Sequence, residues 1–280
     1  MRSCFFFAEL CVKLWLMSLP GSVKKKLLHH NVSGTGPAIV LLHGFLGSGE
    51  IWKNFARRLS KTFQVITIDL PGHGLSGNSG IVNSMDDMAE AVHHVLKSVN
   101  TSACVMVGHS MGGYVTLAFA EKYPRMLKGF VLFHSQAGAD NDVARTNRER
   151  TISLVEKDHH GFIKNFIPDL LDPENVQKCN KEIEVLKEIA DKTPKEVIIA
   201  ALRGMKNRPD RQHVLLNSKV PVLFIIGKND RRIPMETVLP QVILPGHCEA
   251  VLLDHVGHMG FIEASGKTFE VVKGFAERVY

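Results

Sequence analysis

Six short apolar runs, at 38–42, 63–68, 103–107, 129–133, 220–226 and 249–253, constrain what this chain can fold into more than any other feature. They are too short for amphipathic helices, and most lack the alternation of a strand with one wet face. Near-continuous apolar runs of this length are strands covered on both sides, as in a parallel sheet. Helical patterns lie between several of them. Residues 84–98 open with Ser84 and Asp87 at capping-box spacing, and 111–122 stop before Pro124. Near the end of the chain Phe269, Val272, Phe275 and Val279 share one helical face. Strands alternating with helices predict an α/β fold built on a mostly parallel, doubly wound sheet. The segment 24–32 reads as an added edge strand or hairpin arm.

The alternation stops between Phe133 and Val220. That stretch is helical in character, clearest at 180–190 and 194–205, and its charges balance, with 14 basic and 14 acidic residues over 140–211. A helical insertion of this size is most simply a cap over the carboxyl edge of the sheet. The expected division is an N-terminal extension at 1–22, a core at 23–134 and 214–280, and a cap at 135–213.

Charge narrows the partners. The chain carries 34 Lys and Arg against 28 Asp and Glu, a formal +6. Residues 1–30 alone hold a net +4, leaving only +2 for the other 250. The basic balance is therefore no sign of a nucleic-acid groove. Three readings of the first twenty residues stand open: an amphipathic helix able to touch a membrane surface, a degenerate export signal, or an extension upstream of initiation at Met17. With 45% apolar residues the chain can bury a large core, which excludes disorder, and no apolar run reaches the roughly 20 residues that span a bilayer. Cys4, Cys11, Cys104, Cys179 and Cys248 form no CxxC pair or Cys/His ladder, so neither zinc nor a disulfide framework is signalled. Free thiols fit the cytoplasm, with export as the alternative.

Gly108-His109-Ser110-Met111-Gly112 follows one buried run directly and opens a helical pattern. This is G-x-S-x-G in the setting its mechanics require, a strand-to-helix turn that lifts the serine above the sheet edge. The helix N-terminus behind it favours a developing anion. His43-Gly44-Phe45-Leu46-Gly47-Ser48 follows an earlier run. By position, Phe45 N–H and Met111 N–H are the candidate donors of an oxyanion hole. A serine hydroxyl also needs a base, and the base an orienting carboxylate.

Taken together, HGF at 43–45, DLPGHGLS at 69–76, GHSMGG at 108–113, GKNDRRIP at 227–234 and GHMGFIE at 257–263 resemble the α/β-hydrolase superfamily. The likeness is to its small capped serine hydrolases, which include esterases, lactonases and cofactor-free haloperoxidases. It implies an α/β-hydrolase fold with a helical cap, Asp230 as the acid and His258 as the base. Asp254 and His255 compete for those two roles, and Asp140 lies too far along to be favoured. The glycines at 72, 74 and 77 match a dinucleotide fingerprint, but the next helix starts too late to hold a phosphate. The resemblance makes that segment a structural loop, with His73 a loop hydrogen-bonder. His109 is expected to pack under the turn and the paired histidines 29–30, 93–94 and 159–160 to be solvated. His134, Trp52, Phe162, Phe166 and Met205 are candidates to line the substrate pocket.

The implied activity is hydrolysis of a small carboxylic ester, thioester or lactone, with no metal and no organic cofactor. Two alternatives stay open: a lyase of the same fold, of the menaquinone-pathway type, and a ligand receptor. The lyase would want arginines to hold substrate carboxylates, and Arg145, Arg148, Arg150 and Arg203 are candidates.

Overall fold

A computed structural model describes residues 27–77, 80 and 82–280, so the readings of the first twenty residues lie outside the described part. Among the described residues, seven strands form one sheet: β1 (His30–Ser33), β2 (Ala38–Leu42), β3 (Gln64–Ile68), β4 (Cys104–His109), β5 (Leu127–Phe133), β6 (Val222–Gly227) and β7 (Cys248–Leu253). Their order is β1-β3-β2-β4-β5-β6-β7. β1 pairs antiparallel with β3; all other pairings are parallel. Every residue of β2, β4 and β6 is buried. That is why their sequences carry no alternation, and each large apolar side chain so buried stabilises the fold by about 1.5–3 kcal/mol.

Eleven α-helices accompany the described strands: α1 (Lys53–Leu59), α2 (Met85–Ser98), α3 (Met111–Lys122), α4 (Asp142–Lys157), α5 (His159–Phe166), α6 (Asn180–Asp191), α7 (Lys195–Lys206), α8 (Gln212–Leu216), α9 (Met235–Val242), α10 (Gly260–Glu263) and α11 (Ser265–Val279). Ser84 caps α2 as its spacing predicts, accepting from Asp87 N–H at 3.1 Å while its hydroxyl donates to Asp87 Oδ2 at 2.6 Å. α3 is buried from Met111 to Ala120, as befits a helix pressed onto the middle of a sheet. In α11, Phe269, Val272 and Phe275 face the core.

Helices α4 to α8 occupy the chain between β5 and β6, and none of the described residues there forms a strand. The expected boundary at 213 falls inside α8, one residue after it begins. None of the described helices is long and apolar enough to cross a membrane.

The loop at 69–77 is structural in its contacts. Asp69 Oδ1 accepts from Gly49 N–H at 2.6 Å, and Oδ2 from Leu75 N–H at 2.9 Å. A Cβ on Gly74 would sit 2.3 Å from Asp69 Oδ2, so the glycine lets the backbone close on the carboxylate rather than on a phosphate. His73 is buried and donates through Nδ1 to Pro71 O at 3.1 Å. His29 departs from expectation: its Nδ1 lies 2.8 Å from Asp69 Oδ2, anchoring the chain just before β1.

Because six strands run the same way, their carboxyl ends share one edge, where open α/β sheets place ligands. The residues after β2, β4, β5, β6 and β7 therefore meet there.

Candidate active site

Ser110 is held in an unfavourable backbone conformation, φ 52° and ψ −115°, which costs on the order of 1–3 kcal/mol and persists only where surroundings enforce it. Its N–H donates to Phe133 O at 2.9 Å. Its carbonyl accepts from Gly113 N–H and from the Ser135 hydroxyl, both at 2.8 Å. The flanking glycines are required by space. A Cβ on Gly108 would lie 2.4 Å from Gly112 O, and one on Gly112 2.6 Å from Leu42 O. The loop after β2 also crosses the turn closely: a Cβ on Gly44 would lie 2.7 Å from His109 Nδ1 and 3.1 Å from Ser110 Cβ. Among the described residues neither Phe45 N–H nor Met111 N–H donates to a protein acceptor.

His258 follows β7 and Asp230 follows β6. His258 Nδ1 lies 2.7 Å from Asp230 Oδ2, both side chains buried. The other oxygen, Oδ1, accepts from Arg232 N–H at 2.8 Å and Ile233 N–H at 2.9 Å. With Nδ1–H given to the carboxylate, the remaining nitrogen of His258 is the acceptor. His109 packs beside it, as expected under the turn, with Nε2 donating to His258 O at 2.8 Å.

His134 is a second histidine on the same carboxylate, its Nδ1 3.4 Å from Asp230 Oδ2. Its ring fits because two neighbours lack side chains: a Cβ on Gly260 would lie 2.5 Å from Nε2, and one on Gly227 3.0 Å from Cε1. The amide nitrogens of Gly227 and Gly260 lie 3.2 Å from Nδ1 and 3.1 Å from Nε2. A neutral imidazole offers one acceptor, and the negative charge of Asp230 decides which: Nδ1 keeps the proton and Nε2 accepts from Gly260. The ligating atoms of His134, Asp230 and His258 lie within 4.8 Å of one another, close enough for a three-ligand metal centre. A metal would have to displace the protons on both Nδ1 atoms, so the donor chemistry favours a hydrogen-bonded carboxylate.

Burial alone would raise the pKa of Asp230, but the facing His258 and His134 outweigh it and hold the carboxyl well below the usual range. Burial also pushes His43, His109 and His134 below the ordinary imidazole value, and His73 down to about 3. The unfolded chain protonates these rings near pH 6.5, whereas the folded chain resists until lower pH, for His73 until about 3. Unfolded molecules therefore hold more protons in that window, and stability falls as pH falls, by up to about 1.4 kcal/mol per pH unit for each ring. The urea midpoint is expected to drop clearly between pH 7 and pH 5, with His73→Gln flattening the slope between pH 6.5 and about 3. Equal midpoints at the two pH values would contradict this.

A cavity of about 280 Å³ opens above Ser110 and His258. Phe45, Leu46 and Ile51 line it from the sheet side; Phe166, Leu186, Leu202 and Met205 line it from the helical insertion. Phe166 and Met205 are thus where the pocket reading expects them. Trp52, His134 and Phe162 are not. Trp52 is fully buried below the site, its ring 4.9 Å from Phe261, and His134 lies behind Asp230. Phe162 stacks on Phe166 from outside the cavity, centroids 5.0 Å apart. Asp254 faces Lys228 Nζ at 2.6 Å on the surface. His255 lies exposed, 3.3 Å from Glu174.

Sequence reasoning gave no role to Glu263, yet its carboxylate accepts from Gly257 N–H at 3.1 Å, Met259 N–H at 3.0 Å and Asp172 N–H at 2.8 Å. His258 N–H in turn donates to Leu170 O at 2.7 Å. The loop carrying His258 is thus pinned between α10 and the insertion.

The chain matches the alpha/beta hydrolase fold family over residues 37–265. It belongs to that family. Among alpha/beta hydrolases, it is 27% identical over 257 residues to the pimeloyl-[acyl-carrier protein] methyl ester esterase of Xanthomonas campestris pv. campestris, covering 89% of this chain and 98% of that protein. It is 28% identical over 261 residues to Lipase 1 of Psychrobacter immobilis, covering 90% of this chain and 80% of the relative. A thermophilic esterase from Thermogutta terrifontis, solved with malate bound, superposes with a TM-score of 0.85 at 30% identity, covering 90% of this chain and 93% of that one. These relatives support an ester hydrolase.

Proposed function

We propose that this alpha/beta hydrolase cleaves a small carboxylic ester, thioester or lactone through an acyl-enzyme on Ser110. The observation that carries the reading is the buried 2.7 Å contact between His258 and Asp230 beside the strained Ser110 turn, with Ser110 and His258 opening on one cavity. Ser110 Oγ attacks the substrate carbonyl carbon as its proton passes to Nε2 of His258. Asp230 keeps the imidazole in the tautomer that leaves Nε2 free and stabilises the imidazolium. Phe45 and Met111 N–H groups receive the oxyanion, each worth about 10²–10³ in rate. The tetrahedral species collapses, His258 returns the proton to the departing alcohol or thiol, and the acyl group stays on Ser110. Water then gives its proton to His258 and attacks the acyl carbon, freeing the acid and restoring the serine. No step in this sequence calls on a metal or organic cofactor. The insertion at 135–213 acts as the cap that shapes the acyl site, and the free thiols of Cys104, Cys179 and Cys248 support a cytoplasmic setting.

One observation favours a second reading: three arginines line the cavity, and a lyase of this fold would use such groups to hold substrate carboxylates. Turnover separates the two. Mixing the protein with excess short-chain nitrophenyl ester is expected to release a burst of nitrophenol, with the acyl mass found on the peptide carrying Ser110. Labelling by a fluorophosphonate without turnover of any ester, thioester or lactone would reject hydrolysis; no labelling would reject an activated serine altogether.

A further inference from the structure

Charge in the cavity is one-sided. Among the described residues its lining carries three guanidiniums, Arg148, Arg231 and Arg232, and no carboxylate. Arg231 and Arg232 sit toward the rim, their side chains 64% and 35% exposed, and both face Asp169. Water screens charges placed there. Arg148, on α4, is less exposed at 22%. Its Nε donates to Asp140 Oδ2 at 2.6 Å, but Oδ1 of that buried carboxylate is already taken by Arg208. Arg208 donates also through Nη1 to Met205 O at 2.9 Å and through Nη2 to Gly138 O at 2.8 Å, its guanidinium lies 4.0 Å from the Tyr114 ring, and its buried Nε finds no partner among the described residues.

One carboxylate thus serves two guanidiniums, which leaves a positive charge uncompensated at the cavity wall. Among the described residues the Nη groups of Arg148 donate to no partner. A cation withdrawn from water without a counter-charge is unfavourable, and the flat guanidinium fork matches a carboxylate in shape and charge. An Arg–Asp–Arg bridge needed only for stability would not require a cavity-facing member. Around it the cavity is lined by Leu202, Met205 and Ile167, which suit a short run of methylenes. Arg145, Arg150 and Arg203 do not line the cavity.

We propose that Arg148 receives a free carboxylate on the substrate, so that the enzyme prefers esters whose short apolar chain ends in a second, anionic carboxyl group. The proposal rests on the ester-hydrolase reading but is tested separately from it. Monomethyl esters of straight-chain dicarboxylic acids are compared with methyl esters of monocarboxylic acids of equal length, and acetoxy-carboxylates with alkyl acetates. The first pair puts the carboxylate on the acyl side, the second on the alcohol side. In at least one pair kcat/KM for the anionic ester is expected to exceed that of its neutral partner about tenfold or more. Arg148→Gln is expected to shrink that ratio at least fivefold, Arg148→Lys to shrink it less, and Arg150→Gln, on the outer face of α4, to leave it unchanged. Free glutarate or adipate is expected to raise the Tm of the wild-type protein, and the corresponding uncharged diamides not to do so. Equal turnover of anionic and neutral esters, or a preference that survives Arg148→Gln in a variant with wild-type Tm, overturns the proposal. If no ester is hydrolysed, the ester-hydrolase reading falls. The carboxylate site then stands or falls on the Tm shift alone.

Discussion

Ser110→Ala is expected to lower kcat/KM for a nitrophenyl ester by about 10⁴- to 10⁶-fold and to abolish fluorophosphonate labelling, while leaving Tm within a few degrees of wild type. The side chain lost is one hydroxyl; the backbone strain at φ 52° and the bonds to Phe133, Gly113 and Ser135 all use main-chain atoms of residue 110 and survive the change. His258→Ala should fall as far, and the double variant barely further, because a nucleophile without its base and a base without its nucleophile fail at the same step. Additive losses in the double variant would mean that the two residues act separately, and the acyl-enzyme scheme would have to be abandoned.

Asp230→Asn should cost about 10⁴-fold in kcat for a different reason. The amide is nearly isosteric, and its oxygen can still accept from the N–H groups of Arg232 and Ile233. Its NH₂ group then meets Nδ1 of both His258 and His134, each of which presents a proton in the native protein. Both rings must take the opposite tautomer. His258 then carries its proton on the nitrogen meant to receive one from Ser110, and His134 turns an N–H toward the amide of Gly260. The variant should therefore be both nearly inactive and less stable, the stability loss coming from the His134 side. Comparing kcat with the urea midpoint of Asp230→Asn and of His134→Gln separates the two effects. A His134→Gln variant as inactive as Asp230→Asn would show that His134 does more than support the carboxylate.

The strand positions were legible because their cause is local. β2 coincides with the apolar run at 38–42, since a strand buried on both faces must be apolar at every position. Ser110, Asp230 and His258 could be placed at one edge because each follows such a run, and parallel strands bring their ends together. The wall of the cavity was much less legible. An apolar residue near a glycine loop is expected to be buried, but nothing local says on which side of the loop it lies; Trp52 lies beneath it, among Phe55, Phe133 and Phe261. The place of His134 depends on the absent side chains of Gly227 and Gly260, one nearly a hundred residues away. Glu263 closes the GHMGFIE stretch, yet nothing local gives it a role, because its partners are backbone amides that a folded loop turns toward it. Arg148 stood out as a candidate for its charge alone; the sharing of Asp140 with Arg208 is a tertiary fact.

The bond from His258 N–H to Leu170 O, together with the grip of Glu263 on Asp172, bears on how such an enzyme can be re-engineered. Helical insertions of this kind invite wholesale exchange as a route to new specificity. Here a donor segment that replaces residues 135–213 also removes the carbonyl on which the histidine loop hangs. Grafts that keep 170–175 from this chain should retain turnover while their binding wall changes, and grafts that discard it should lose both together. The exchangeable unit is smaller than the insertion.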